Sequence, residues 1–154
     1  MDYIVRRMRE EDIPQVVEIE KIAFSRPWSK SIFKATLLLP YAAYYVAVED
    51  AEGENREAGK IVGMCGVKKI FEEGEISNVA VHPDFRGKGI SRKMLDMLMR
   101  EAREDGVQAF TLEVRAGNEI AIGLYESLGF RTEGVRRGYY DHPKEDGLIM
   151  WQRP

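Results

Sequence analysis

Residues 78–91 read Asn78-Val-Ala-Val-His-Pro-Asp-Phe-Arg-Gly-Lys-Gly-Ile-Ser91. The stretch begins as an apolar strand, turns at His-Pro-Asp, and continues as a glycine-rich loop that opens a helix. Gly87 and Gly89 allow the backbone to approach a bulky anion, and the first N–H groups of a helix attract negative charge. The pattern therefore predicts a phosphate-binding turn that is neither GxxxxGK[ST] nor GxGxxG, although an ordinary strand-to-helix turn also explains the glycines.

The residues after this loop follow a helical period and then return to a strand. The predicted buried helix face consists of Ile90, Met94, Leu95, Leu98 and Ala102. This helix ends at Gly106, and a strand is predicted from Val107 to Val114. A strand, a helix and a second strand of one sheet form a parallel, right-handed βαβ crossover.

The remaining segments extend this unit on both sides. Before it we predict a strand at 3–7, a helix capped by Asp12, a helix that begins after Ser29 and stops at Pro40, and strands at 41–48, 60–71 and 75–81. The polar segment 49–59 is predicted to be a hairpin loop. After it come a short helix capped by Asn118, with an apolar face of Ile120, Ala121, Leu124 and Leu128, and strands at 130–137 and 148–152.

This order predicts an α/β fold. Its mixed, mostly antiparallel sheet has about seven strands, a central parallel βαβ unit, and about four helices on both faces. The length of 154 residues suits a single domain, 1–154. The single cysteine and two histidines exclude a disulfide scaffold and a cysteine-rich metal site, and they fit a reducing cytoplasm.

Charge and hydropathy exclude further classes of protein. The net charge is -3, from 23 Lys and Arg against 26 Asp and Glu, which does not suggest a nucleic-acid-binding domain. Between Arg86 and Arg103, however, six basic residues face two acidic ones, which is consistent with a local anion site. The longest apolar run, about 41–48, is far shorter than the roughly 20 residues of a membrane-spanning helix.

The glycine-rich loop resembles that of the GCN5-related N-acetyltransferase (GNAT) superfamily. Its signature [QR]-x-x-G-x-[GA] matches Arg86-Gly-Lys-Gly-Ile-Ser91, with Ser91 as the departure. In that family the loop holds the pyrophosphate of acetyl-coenzyme A (acetyl-CoA), and the preceding strand pairs with its pantetheine arm. The resemblance implies cofactor contacts from Val79, Ala80, Val81, Arg86, Gly87, Lys88, Gly89, Ile90, Ser91, Arg92, Asn118 and Tyr125.

Later motifs look like those of the RimI-type protein N-terminal acetyltransferases. They are Leu112-Glu-Val-Arg-Ala-Gly-Asn118, Ala121-Ile-Gly-Leu-Tyr-Glu-Ser-Leu-Gly-Phe130 and Arg136-Arg-Gly-Tyr-Tyr140. The resemblance implies a metal-free, cytoplasmic enzyme that transfers acetyl from acetyl-CoA to the N-terminal alanine of a small-subunit ribosomal protein by direct attack. It implies no direct contact with nucleic acid and no membrane.

Acetyl transfer to an α-amine has definite chemical needs. The amine, with a pKa of about 8, must lose a proton to a general base, and the leaving thiolate gains from a proton donor. Glu113, at the end of the parallel strand, is the candidate base, and Tyr125 is the candidate acid, as in the resembled family. A bulge near 78–81 would aim the Val81 amide at the oxyanion. Alternatively, Glu113 is an edge charge or pairs with Arg115, and Tyr125 is a core aromatic.

The acceptor groove is predicted from aromatic residues, namely Phe24, Trp28, Tyr139 and Tyr140. The acidic excess of the first half of the chain would suit a basic peptide. Alternatively, Phe24 and Trp28 form a hydrophobic plug between the first two helices, and the two tyrosines pack locally. Two other functions stay open, an acetyltransferase for a small amine or lysine side chain and a catalytically silent acyl-CoA-binding module.

Overall fold

A computed structural model of the chain describes residues 3–49 and 59–154. The strands within these residues are β1 (Tyr3–Arg7), β2 (Ala42–Glu49), β3 (Ile61–Ile70), β4 (Glu73–Val81), β5 (Ala109–Arg115), β6 (Arg131–Tyr140) and β7 (Glu145–Gln152). The α-helices are α1 (Ile13–Ala23), α2 (Lys30–Leu37), α3 (Ile90–Glu104) and α4 (Glu119–Ser127). Most of the predicted hairpin loop, residues 50–58, lies outside the described residues.

The strands form one sheet in the order β1-β2-β3-β4-β5-β7-β6. Strand β4 pairs with β5 in parallel, and every other neighbouring pair is antiparallel. Helix α3 connects the two parallel strands, as the predicted crossover requires. The predicted fold class is confirmed.

The two faces of the sheet carry separate hydrophobic cores because side chains alternate along each strand. In β2, Tyr45 packs with the residues of α3 and α4, whereas its neighbours Tyr44 and Val46 pack with those of α1 and α2. The predicted face of α3 is buried from Ile90 to Ala102. The core therefore holds α1 and α2 on one face of the sheet and α3 and α4 on the other.

The parallel pair β4 and β5 stays together only at its beginning. The paired residues are Glu73 with Ala109, Gly74 with Phe110, and Glu75 with Thr111. Beyond this point the second half of β4 continues beside β3, and β5 continues beside β7. Parallel strands that separate leave backbone N–H and C=O groups along the gap without a ladder partner on that side. A gap between β4 and β5 is thus built into the centre of the sheet.

Two local predictions differ from the structure. Asp12 precedes α1 as expected, but its carboxylate accepts the Arg9 backbone N–H at 2.7 Å and pairs with Arg6 at 2.7 Å instead of capping α1. Ile120 is 90% exposed, because α4 turns Ala121, Leu124 and Tyr125 toward the sheet instead. Among the described residues, no helix is long and apolar enough to cross a membrane.

Candidate active site

The glycine-rich loop has an open backbone. Gly87 and Gly89 have φ of +77° and +75°, and a Cβ added at either position would meet nothing within 4 Å. Gly89 is the N-cap residue of α3 and offers no side chain to bond the first N–H groups of the helix. Ile90 is buried in the core, so only its backbone faces the loop. The loop therefore has the space and the positive helix end that a phosphate needs.

The basic side chains of this segment point in different directions. Arg92 donates from Nη2 to the Ser127 hydroxyl at 2.6 Å, which links α3 to α4. The Lys88 ammonium lies 5.7 Å from the centre of the Phe85 ring. Ser91, which replaces the usual glycine or alanine, is half-buried on the first turn of α3. The open backbone remains the main feature suited to an anion.

The predicted bulge in β4 is confirmed. Met64 opposes Ala80 and Gly66 opposes Ser77, so both Asn78 and Val79 face the single residue Cys65. Asn78 has φ of +56°, a left-handed conformation that asparagine tolerates better than most residues.

The ladder around the bulge fixes the direction of the next amide. The His82 N–H donates to the Val62 carbonyl at 2.8 Å, so these two residues form a hydrogen-bonded pair. Such pairs alternate with non-bonded pairs along an antiparallel ladder. Val81, opposite Gly63, is therefore a non-bonded position on β3, and its N–H points away from β3 toward the gap beside β5.

Glu113 lies on the face of β5 opposite the α3 core, where β5 alternates between buried and half-buried residues. Its Oε1 is 3.3 Å from Nε of Arg136, and its carboxylate is hydrogen-bonded by Tyr139, which raises the pKa of the Tyr139 hydroxyl. The alternative pairing with Arg115 is wrong, since Arg115 bonds Glu145 at 3.2 Å. The alternative that Glu113 is a charge on an edge strand is also wrong, because β5 lies between β4 and β7.

Tyr125 is buried on the inner side of α4. Its ring packs edge to face on Phe130 at 5.9 Å, so the predicted core contact is real. Burial raises the pKa of its hydroxyl, and the hydroxyl also interacts electrostatically with Cys65 and Tyr140. Cys65 opposes the bulge, whereas Tyr140 is on β6. A buried hydroxyl with a raised pKa is protonated at neutral pH and can donate a hydrogen bond or a proton.

Two other polar residues serve local structure. The Asn118 side-chain oxygen accepts the Ala121 N–H at 3.2 Å, as expected for a helix cap. The Nδ1 atom of His82 accepts the Asp84 N–H at 3.1 Å and holds the turn before the glycine-rich loop. Among the described residues, no three histidine, cysteine, aspartate or glutamate side chains are grouped so that they could hold a metal ion.

The four aromatic residues predicted for the acceptor groove do line one cleft. This cleft has a volume of about 890 Å³ and is bordered by Phe24, Trp28, Tyr139 and Tyr140, together with Ser77 and Asn78 of β4. The local aromatic packing that was the alternative to a groove is present as well. The Trp28 ring lies 5.2 Å from that of Phe33, and the Tyr139 and Tyr140 rings are 5.0 Å apart. Local packing and a position at the cleft are thus compatible.

The charges of the cleft do not follow the acidic excess of the first half of the chain. Its charged lining consists of Glu20, Lys21, Arg26, Arg115 and Asp141, with His142 beside them. Four acidic residues of the first half, Asp50, Glu52, Glu54 and Glu57, fall in the segment outside the described residues. The lining therefore gives no support to a strongly acidic acceptor groove.

Two loops from distant parts of the chain meet at this cleft. The segment between α1 and α2 contacts the segment between β6 and β7 through a Ser25 hydroxyl that donates to the Asp141 carbonyl at 3.3 Å, and through an ion pair of Arg26 with Asp141. Arg115 reinforces the second loop with bonds to the Asp141 carbonyl at 2.9 Å and the Pro143 carbonyl at 2.8 Å. The contacts close one side of the cleft.

Glu20 was not singled out from the sequence, although it also lines the cleft. The residue is only 2% exposed, and burial raises the pKa of its carboxyl. A signal was present, because Glu20 follows the buried Val16 and Val17 by four and three positions and so falls on the apolar face of α1. A carboxylate on an apolar helix face requires hydrogen-bond donors.

Comparison with known proteins agrees with this geometry. Residues 13–130 match the model of the acetyltransferase (GNAT) family. A Bacillus subtilis (strain 168) protein is 37% identical over 96% of this chain and 93% of its own. The ribosomal protein bS18-alanine N-acetyltransferase of Escherichia coli (strain K12) is 34% identical over 90% of this chain and 89% of its own.

A solved structure agrees with the fold as well. The crystal structure of the ribosomal-protein-S18-alanine N-acetyltransferase from Escherichia coli is 30% identical, with a TM-score of 0.86 over 99% of this chain and 94% of its own. Together with the open loop, the bulge and the gap between β4 and β5, these matches show that the chain belongs to the acetyltransferase (GNAT) family.

Proposed function

We propose that this chain transfers the acetyl group of acetyl-CoA to the N-terminal alanine of ribosomal protein bS18. The E. coli relative that carries this activity in its name is similar over nearly the whole chain, and the chain has a GNAT acetyltransferase domain. The observation that supports this function most is that two sites meet on β4. Ser77 and Asn78 line the acceptor cleft, and four residues separate Val81 from the start of the glycine-rich loop at Arg86. The ribosomal substrate assigns the reaction to the cytoplasm.

The residues of the loop and gap fit the acetyl donor. The open backbone at Gly87 and Gly89 and the uncapped first turn of α3 suit its pyrophosphate, and the edge of β4 at Val79 and Val81 suits its amide-containing arm. The other candidate contacts, Arg86, Lys88, Arg92 and Asn118, surround the same loop in the sequence or cap the adjacent helix. No protein thiol has to carry the acetyl group, because direct attack by the amine completes the transfer.

The proposed chemistry assigns one task to each polar group. Glu113 takes the proton of the attacking amine, directly or through a water, as a C–N bond forms at the thioester carbon. The Val81 N–H donates to the carbonyl oxygen while it carries negative charge. Tyr125 gives a proton to the sulfur as the C–S bond breaks. The Tyr125 hydroxyl is buried, and burial raises its pKa, so it is protonated at neutral pH and holds a proton for the leaving sulfur.

A thiol-release assay with a panel of acceptors tests the function. The panel contains a peptide with a free N-terminal alanine, matched peptides that begin with methionine or serine, a polyamine, and an N-terminally blocked peptide with a lysine. We expect turnover on the alanine peptide and none on the blocked one. Preference for the polyamine or the blocked lysine peptide would instead identify a small-amine or lysine acetyltransferase. Coenzyme A binding without turnover of any acceptor would indicate a silent acyl-CoA-binding module.

A further inference from the structure

A buried hydrogen-bonded network joins α1 to the bulge of β4. The carboxylate of Glu20 accepts from Nδ2 of Asn78 with both oxygens, at 3.2 and 3.3 Å. Its Oε1 also accepts the backbone N–H of Trp28 at 3.2 Å. Three parts of the chain, namely α1, the bulge and the segment before α2, therefore meet at one side chain. All three also border the acceptor cleft.

The amide of Asn78 is held from its other side as well. Its Oδ1 accepts the Tyr44 hydroxyl at 3.0 Å, and that hydroxyl lies 3.1 Å from the Ser77 hydroxyl. Because Nδ2 donates to Glu20 and Oδ1 accepts from Tyr44, hydrogen bonds fix the orientation of the amide at both its nitrogen and its oxygen. The same residue carries the left-handed backbone of the bulge, a conformation that costs energy outside glycine and persists only where the surroundings hold it.

The hydrogen-bond partners of Glu20 explain why a carboxylate occupies this position. Asn78 Nδ2 and the Trp28 N–H both donate, so the group between them must accept, and an ionised carboxylate is an acceptor only. Burial of this carboxyl has a cost, which its raised pKa reflects, and the N–H donors offset part of that cost. An apolar residue would pack on α1 equally well but would leave two buried donors without partners.

We propose that Glu20 is a positioning residue of the transfer reaction, because it holds Asn78 in the bulge that turns the Val79 and Val81 amides toward the gap, and holds the Trp28 backbone beside the cleft. The inference rests on the proposed function, in which these amides bind the acetyl donor and its developing oxyanion. Glu20 acts only through Asn78 and Trp28 and does not touch the reacting atoms.

The variant Glu20→Gln tests this inference. The introduced amide can still accept from Trp28, but it then presents its own N–H₂ to Asn78. We expect kcat to fall by about tenfold to hundredfold, the acceptor KM to rise, and coenzyme A to bind several-fold more weakly in calorimetry. Glu18→Gln is the matched control, because Glu18 is exposed on the same helix and pairs with Lys21 at 3.4 Å, and it should leave all three quantities unchanged.

A second variant separates positioning from loss of folding. In Glu20→Gln combined with Asn78→Asp, the donor and acceptor of the pair are exchanged. The introduced glutamine donates to the introduced aspartate, and that aspartate still accepts from Tyr44 and tolerates the left-handed backbone. We expect the double variant to regain about tenfold in kcat and most of the coenzyme A affinity, at the melting temperature of the single variant or above.

Two outcomes would overturn the inference. One is a Glu20→Gln enzyme that matches Glu18→Gln in kcat and in coenzyme A affinity. The other is a single variant that loses only melting temperature, with kcat per coenzyme A site unchanged. The coenzyme A measurement needs no acceptor, so it tests the role of Glu20 even if the wild-type enzyme does not acetylate the alanine peptide. Absence of that acetylation would count against the proposed function alone.

Discussion

Glu113 and Tyr125 approach the centre of the sheet from opposite faces. Glu113 is on the side of the proposed acceptor cleft, where Arg136 and Tyr139 contact its carboxylate, and Tyr125 is on the side of the α3 core. The two faces of the sheet are open to each other at the gap between β4 and β5, because these two strands pair only at their beginning. The proposed base and the proposed acid thus lie on opposite sides of this gap, which suits a reaction in which one proton leaves the amine and another reaches the sulfur.

At this scale we expect Glu113→Gln and Tyr125→Phe each to lower kcat by about hundredfold to ten-thousandfold, the usual share of acid–base catalysis. Both changes nearly conserve volume, so coenzyme A affinity should change little. Steady-state kinetics with the alanine peptide measure the effect. Glu133→Gln and Tyr41→Phe are matched controls at exposed positions that have no proposed role. Unchanged kcat in both site variants would refute the assignment.

The glycine-rich loop and the bulge are the elements that shape the proposed donor site. The bulge precedes the turn at His82 and forms the edge of β4, whereas the loop follows the turn and leads into the N-terminus of α3. Both depend on residues with positive φ, Gly87, Gly89 and Asn78, so both are sensitive to substitutions that leave the core untouched.

A comparison of two glycines of α3 tests the loop. Gly89 and Gly106 flank the helix at opposite ends, both have positive φ, and a Cβ at either would meet nothing within 4 Å. Changing either to alanine should cost about 1 kcal/mol of stability through the left-handed backbone. Only Gly89→Ala should also weaken coenzyme A, by about tenfold, because its Cβ enters the space proposed for phosphate. Calorimetric titration and thermal melting separate the two effects. Equal coenzyme A affinity in both variants would contradict the loop's assignment.

The elements were easier to predict from the sequence than their contacts. Strong periodicity predicts α3 and its flanking strands, and the start of α2 after Ser29 and the Asn118 cap of α4 are confirmed. The partner of Glu113 could not be found in this way, because Arg136 reaches it across two strand pairings whose register depends on the whole sheet. For Glu20, the apolar helix face is a signal of burial in the sequence, but its donors Trp28 and Asn78 are not, because they come together only when α1 packs on β4.

Several tyrosines of the molecule are buried or half-buried, and they make the free energy of unfolding depend on pH. Burial raises the pKa of Tyr44 to about 12 and that of Tyr140 to about 12, and it also raises the pKa values of Tyr45 and Tyr125. In the unfolded chain these hydroxyls titrate near 10. Above that pH the folded protein holds more protons than the unfolded chain, so the free energy of unfolding falls as pH rises.

Urea unfolding at several pH values checks this expectation. The free energy of unfolding contributed by these tyrosines should be fully present below about pH 10 and should decline between about pH 10 and 12. Tyr45→Phe should reduce the slope of the unfolding free energy against pH by the equivalent of up to about one proton, because it removes one hydroxyl whose pKa is raised. Tyr41→Phe, at a half-exposed site, serves as the control. A slope that is the same in both variants would show that Tyr45 does not contribute.

The proposed acceptor cleft is also a property of the whole molecule, because its two loops are about 116 positions apart in the chain. Arg115 stabilises the second loop by stacking 4.5 Å over Tyr140 and by donating to two loop carbonyls. Lysine keeps the charge but lacks the planar, forked set of donors. We therefore expect Arg115→Lys to raise the acceptor KM by about tenfold, while the KM for acetyl-CoA stays the same. Arg131→Lys on exposed β6 is the control. If the two KM values rose together, the loop contact would be supporting the fold in general instead of the cleft.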